Sequence, residues 1–198
     1  DLQGGEYLVS LGVTGYNNFN FEVYHRLYDV INITVVSNKN TVGFFDMIDV
    51  LSSPIHSDVP RCMEHYGTGY GYIAYQSTLN RDYNDVELTF SEIGDRAQIY
   101  INKNLVGIVY TNDEKLSVNI TANKGDILTI LCENMGRTNF GPKMMRKKGI
   151  AGRCLIDSRI HFNWNVYPLP MDNLENLAFS AEETVEPSVF FRGSLHVD

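Results

Sequence analysis

The run DILTILCENMGRTNFG, Asp126–Gly141, decides how this chain folds. In its first half Ile127, Leu128, Ile130, Leu131 and Cys132 are apolar on both faces of a period-two pattern, which predicts a central strand covered on both sides. Its second half, ENMGRTNFG from Glu133, gathers an acid, an arginine and two amides among glycine and methionine spacers. That knot reads either as a reactive site or as a structural corner. Glu133 and Arg137 are suited to a buried ion pair, while Asn134 and Asn139 can satisfy backbone groups where the strand leaves its sheet. Gly136 and Gly141 permit the bend such a segment requires. The corner is the preferred reading.

Working outward, the chain from about Gly69 onward is a series of short runs rich in β-branched and aromatic residues, bounded by turn formers. They are Gly71–Leu79, Asp85–Phe90, Arg96–Asn102, Leu105–Tyr110, Lys115–Thr121, Asp126–Asn134, Gly149–Ile156 and His161–Leu169. Such spacing predicts a β-sandwich. NKN at Asn102–Asn104 and NKGD at Asn123–Asp126 are hairpin turns, since Asn and Gly tolerate positive φ. In RAQIYIN, Ala97, Ile99 and Ile101 alternate with Gln98, Tyr100 and Asn102, which predicts one buried and one wetted face.

The first seventy residues read differently. Phe21, Tyr24, Leu27, Tyr28 and Ile31 fall on one face of a helix, preceded by the strand-like EYLVSLGVTGY. One strand and one helix make half of a βαβ unit, which cannot bury its own faces. Ser52–Pro60, with two prolines, is expected to be an extended linker. FFRGSLHVD begins a new strand near residue 190, so both ends look cut.

Composition narrows the function classes. Hydrophobic content of 43% with 12% aromatics belongs to a folded globular chain. A net charge of −8 argues against a nucleic-acid partner. The one basic run, Lys143–Lys148, reads as a solvated loop whose two methionines fold back on something apolar. No apolar run is long enough to span a membrane, and DLQGGEYLVS lacks the pattern of a signal peptide. Cys62, Cys132 and Cys154 are read as buried free thiols; a Cys132–Cys154 bridge requires neighbouring strands. Asn32 and Asn119 head NIT sequons, relevant to glycosylation in a secretory compartment.

Chemistry-bearing patterns are sparse. His25, His56, His65, His161 and His196 are scattered, so no metal or cofactor is expected. There is no GxSxG, phosphate loop or GxGxxG. YGTGYGY, Tyr66–Tyr72, leads into a strand and reads as an aromatic corner before a sugar-stacking site. Glycoside hydrolysis needs two facing carboxyls, ~5 Å apart for retention or ~6.5–9.5 Å for inversion. Asp46 with Asp49, Asp82 with Asp85, and Glu92 with Asp95 are the nearest pairs in sequence; the last two lie in turn-like contexts and read as solvated or capping, while exposed polar positions of a half-buried element explain Asp46 and Asp49 equally well.

The motifs nevertheless carry a resemblance. ENMGRTNFG is similar to the ENMGRxNYG signature of the β-galactosidases of glycoside hydrolase family 35, which include the animal lysosomal enzyme. KGIAG (Lys148–Gly152) resembles the segment that follows it, GDRAQIYINKNLVGIV resembles the family's DRAxVxVxG hairpin through Asp95 and Arg96, and WNVYPLPMDN resembles its exit. The resemblance runs from about Thr41 to Asp172.

It implies a jelly-roll, galactose-binding-like β-sandwich over residues 41–172, preceded in 1–40 by the last strand and helix of a catalytic (β/α)8 barrel. Residues 173–198 would be a linker and the first strand of a further β domain. It implies a parent that hydrolyses terminal β-galactosides with retention, in a lysosomal or secreted setting. The barrel glutamates lie before the residues present, so no catalytic residue is assigned. Tyr16 matches the first tyrosine of a family motif and is the one candidate substrate-binding residue, while Asn17 stands where the family has an acid, and Asn18, or Phe19 with one residue inserted, where it has the second, galactose-contacting tyrosine. Glu133, Asn134, Gly136, Arg137, Asn139, Gly141, Asp95 and Arg96 are expected to be structural. The implied partners are β-galactoside glycans and the remaining barrel, with self-association of the chain alone. A free carbohydrate-binding module or a ligand-free scaffold is the competing expectation.

Overall fold

The computed structural model describes residues 5–17, 20–35, 43–46, 53–172 and 189–192; outside 53–172 it does so through the backbone alone. The chain divides into two units, residues 1–47 with 177–198 and residues 48–176, which are described separately.

In the first unit, strand β1 (Gly5–Asn17) and strand β2 (Asn20–Val35) form an antiparallel hairpin from Gly5↔Val35 to Asn17↔Asn20. The helix expected over Phe21–Ile31 is therefore corrected to a strand. Phe21, Val23, Leu27, Ile31, Ile33 and Val35 are separated by even steps as well as lying near a helical spacing. A short apolar run fits either period, and β-branched content with a facing ladder decides for the strand. Strand β3 (Gly43–Asp46) pairs antiparallel with Val189–Arg192. The side chains of Tyr16, Asn32, Asp46 and His25, and all of Asp49, His196 and the linker at 173–188, lie outside the described residues.

The second unit begins with β4 (Ile55–Ser57) and a 3-10 turn at Met63–Tyr66. It continues through β5 (Tyr72–Thr78), β6 (Tyr83–Phe90), β7 (Ile93–Gly94), β8 (Arg96–Ile101), β9 (Asn104–Tyr110) and β10 (Ser117–Ala122). It ends with β11 (Ile127–Glu133), β12 (Gly149–Ile150), β13 (Cys154–Ile156), β14 (Arg159–Ile160) and β15 (Trp164–Leu169). A six-stranded sheet in the order β4-β15-β5-β11-β8-β9 faces a four-stranded sheet β10-β6-β13-β14, with β12 and β7 as a separate pair. The result is an antiparallel β-sandwich.

β11 is the centre of this arrangement, paired with β5 on one side and β8 on the other. Leu128, Thr129, Ile130, Leu131 and Cys132 are all buried, as the two-faced apolar pattern predicts. The inner face sets Ile73, Tyr75, Ala97, Ile99, Ile130, Cys132 and Trp164 against Leu88, Phe90, Ile120, Cys154 and Ile156 of the smaller sheet. Each such Ile or Leu contributes about 1.5–3 kcal/mol of burial free energy. The hairpin between β8 and β9 turns through Asn102 (φ 47) and Lys103 (φ 71), both in the left-handed region that a tight two-residue turn requires.

Three readings change. The face of β8 expected to be wet carries Gln98 and Tyr100, only 4% and 1% exposed, because β8 is an interior strand between β11 and β9. Pro54 notwithstanding, the expected linker contains β4, which adds to the sheet edge through Val166↔Ile55 and Trp164↔Ser57. Gly149–Ile156 is two strands rather than one. The Ala151 and Gly152 amides both turn to the Glu92 carbonyl and break the run. Cys132 and Cys154 belong to different sheets, and all three cysteines are free thiols.

Candidate functional site

The corner grows out of the end of β11. Glu133 is the last residue of that strand, directly opposite Arg96 on β8 and Tyr72 on β5. Cross-strand neighbours in register are close enough for their side chains to bond. The Arg96 guanidinium reaches Glu133 at 2.6 Å, and the Tyr72 hydroxyl donates to the other carboxylate oxygen at 3.2 Å. Burial and the adjacent Glu133 charge push the Tyr72 phenol up to about 12. Burial alone would lower Arg96, but the Glu133 carboxylate together with Tyr110 and Tyr72 outweighs it and raises that pKa.

Beyond Glu133 the chain leaves the sheet and is tied down at each step. The Asn134 amide donates to Gly69 O at 2.9 Å, while its own oxygen accepts from the Gly136 N–H at 3.0 Å. The Met135 N–H donates to Asp95 at 2.9 Å. Gly136, at φ +113, turns the backbone so that Arg137 crosses to Glu64 at 2.8 Å and to Gly69 O at 2.9 Å. The expected Glu133–Arg137 pair is thus corrected: each residue pairs elsewhere, because β-sheet register presents Arg96 to Glu133 and the turn carries Arg137 away.

A lysine closes the network. Lys148, 4% exposed, donates to Asp95 at 2.5 Å and to Gly136 O at 2.6 Å. Its backbone N–H lies 3.2 Å from both carboxylate oxygens of Glu64, and its carbonyl accepts from the Met63 N–H at 2.8 Å. Burial would raise the Glu64 carboxyl, but Arg137 and the surrounding donors hold it below its ordinary value.

Chemically this arrangement is a brace. Glu64, Asp95 and Glu133 each accept from a cation at 2.8 Å or less, and these contacts tie the segment after Glu133 to the 3-10 turn and to β8. Asn139 and Phe140 are exposed and Asn139 makes no side-chain hydrogen bond among the described residues; Gly141 supplies a second positive φ, +102. Of the sequence-based carboxyl pairs, the side chains of Asp46 with Asp49 lie outside the described residues, and members of the other two are engaged elsewhere. Asp82 accepts from the Lys124 N–H at 2.7 Å, Asp85 from the Asn119 amide at 2.9 Å, and Asp95 is committed to Lys148. Of the tyrosines in YGTGYGY, Tyr70 donates to Asp172 at 2.6 Å. Among the described residues no three His, Cys, Asp or Glu groups converge as a metal site, and no helix is long and apolar enough to cross a membrane.

Sequence reasoning missed Glu64, read Tyr72 only as part of an aromatic corner, and placed Lys148 in a solvated loop, which its 4% exposure corrects. Their place follows from register and from the return of the chain at Gly149, which local pattern does not encode. The faint signal was Lys148 itself, a lysine abutting the apolar GIAG.

Fold and corner together define a cross-braced, antiparallel β-sandwich domain. Residues 60–170 match the family described as "Beta-galactosidase, first all-beta domain", more than half of the chain, and the chain belongs to that family. It is 31% identical over 151 residues to a beta-galactosidase of Xanthomonas manihotis, covering 75% of this chain and 25% of that protein. It is 31% identical over 133 residues to a Bos taurus beta-galactosidase, covering 65% of this chain and 20% of the relative. The chain thus matches between a fifth and a quarter of the length of these curated relatives. A solved GH2 beta-galacturonidase from Eisenbergiella tayi shares 19% identity at a TM-score of 0.37, covering 65% of this chain and 23% of that one. That likeness is too slight to carry an argument.

Proposed function

We propose that this chain is the non-catalytic β-domain portion of a β-galactosidase whose whole form hydrolyses terminal β-D-galactosides with retention, and that the domain supports the catalytic part. The observation that carries this reading is the family match over residues 60–170, joined to a corner whose three carboxylates are all held by cations. The parent's partners are then β-galactoside glycans and the remainder of the enzyme, in a lysosomal or secreted setting. Asn119, exposed on β10, is the sequon such a setting would present for glycosylation.

The test is direct. The 198-residue chain is incubated with a chromogenic β-galactoside, and no turnover above buffer is expected; measurable turnover that scales with enzyme overturns the non-catalytic reading. Disrupting the corner in a full-length relative at the position matching Lys148 should lower its thermal stability before its substrate affinity.

A further inference from the structure

A cavity of about 440 Å³ opens between the segment entering the 3-10 turn and the β12–β13 connection, and the corner does not use it. Arg61, His65 and Arg153 line it over an apolar surface of Val59, Pro60 and Ile160. No carboxylate is among the lining residues. The ion pairs of the domain employ Arg81, Arg96, Arg137 and Lys148, so Arg61 and Arg153 have no counter-ion among the described residues. Two arginines without a counter-ion among the described residues thus line one cavity in a chain of net charge −8.

Both walls are fixed from behind. The Arg61 carbonyl accepts from the buried Tyr75 hydroxyl at 2.6 Å, and Cys62 bridges to Gly149. Opposite, the Arg153 N–H donates to Ser91 Oγ at 2.6 Å and its carbonyl accepts from the Ser91 N–H at 2.9 Å. A Cβ at Gly152 would stand 2.2 Å from Ser91 Oγ and displace it from the Arg153 N–H. The backbone is therefore set before any ligand arrives, which reduces the ordering cost of binding. Guanidinium is also the group that best matches a planar or tetrahedral oxyanion, and the volume falls within the range of small-ligand sites.

We propose that this cavity binds an acidic sugar, its carboxylate or sulfate held by Arg61 and Arg153 with His65 as a further donor, and its apolar ring face on Val59, Pro60 and Ile160. The choice of a sugar as the body rests on the β-galactosidase reading; the anionic requirement rests on the cavity alone.

The experiment titrates the 198-residue chain by calorimetry with galacturonate, galactose 6-sulfate, uncharged galactose and sodium sulfate, in low and high NaCl. At least one acidic sugar should bind saturably, more weakly in high salt, and tighter than galactose or inorganic sulfate; which one binds identifies the anion. Arg61→Gln and Arg153→Gln should each weaken it about tenfold or more, with the melting temperature unchanged because both side chains are exposed and unpaired. Galactose or sulfate binding as tightly as the acids, no saturable binding, or binding indifferent to the double substitution overturns the proposal. Because the readout is binding and not turnover, its failure leaves the supporting-domain reading standing, and the converse holds.

Discussion

Glu133 at the end of β11 faces Arg96 at the start of β8 at 2.6 Å, so the corner is anchored on a cross-strand neighbour and not on the arginine four residues downstream. Removing Arg96 leaves a partly buried carboxylate beside the Tyr72 hydroxyl. Arg96→Ala should cost about 1–2 kcal/mol of stability, and Arg96→Lys less. Urea denaturation read by circular dichroism measures both; an Arg96→Ala protein as stable as the parent would show the pair to be idle.

Lys148 is more deeply enclosed, and its loss strands the Asp95 carboxylate and the Gly136 carbonyl together. Lys148→Met should destabilise by roughly 3 kcal/mol. The double variant with Asp95→Asn should recover part of that loss, since it removes the uncompensated charge. If the double variant is worse by the full sum of the two singles, the coupling inferred from the geometry is absent.

His161 supplies a pH dependence whose sign can be worked out. Burial, with Arg81 nearby, lowers its folded pKa, while its ring meets Ser77 Oγ at 2.8 Å. In the unfolded chain histidine titrates near about 6.5. As pH falls through that value the unfolded state gains a proton that the folded state resists, so stability declines below pH ~6.5 until the folded pKa is reached. The slope from this group is at most about 1.4 kcal/mol per pH unit. Glu64 acts lower: its depressed carboxyl stabilises above the ordinary carboxylate range and ceases to do so as pH falls through its folded pKa. His161→Gln should flatten the urea midpoint between pH 7 and 5 without altering the acid limb below it.

Two glycines separate strain from crowding. Gly125 has φ +96 with open space around it, whereas Gly149 has φ +75 and would place a Cβ 2.4 Å from the Tyr75 hydroxyl. Gly125→Ala should cost about 1 kcal/mol. Gly149→Ala should cost several times that, because Tyr75 holds both the Arg61 carbonyl and the Ile150 N–H. Comparable melting temperatures for the two variants would contradict this.

The thiols should separate by access. Cys62 is half-buried, while burial pushes Cys154 up to about 12 and burial together with Cys154 raises Cys132. A chromogenic disulfide reagent should titrate one thiol in the native chain and all three in guanidinium. Rapid native labelling of more than one would place Cys132 or Cys154 outside the core.

The strands of the sandwich were legible because their information is local: Ile127–Cys132 is apolar on both faces, and Asn102–Asn104 has the residues its turn needs. The hairpin β1–β2 was misread because Phe21–Ile31 satisfies two periods, and only its partner strand discriminates. At the corner, the bend at Gly136 and the backbone role of Asn134 could be read from residue type. The ion-pair assignments could not, since Glu133 meets Arg96 only through a ladder register, and Arg137 meets Glu64 only after the chain has turned. Burial of Gln98 and Tyr100 likewise follows from the position of β8 within its sheet, which alternation along one strand does not reveal.

The brace joins Glu64, Gly69, Tyr72, Asp95, Arg96 and Lys148 to residues 133–137, so nearly all of its bonds link stretches far apart along the chain. Such contacts close only after the intervening loops have been drawn together, and they assemble late on the way to the native state. Substitutions there should then accelerate unfolding while leaving the refolding rate almost unchanged. The knot of polar residues at Glu133–Gly141 would act less as a foundation than as a latch, setting how long the finished domain stays shut.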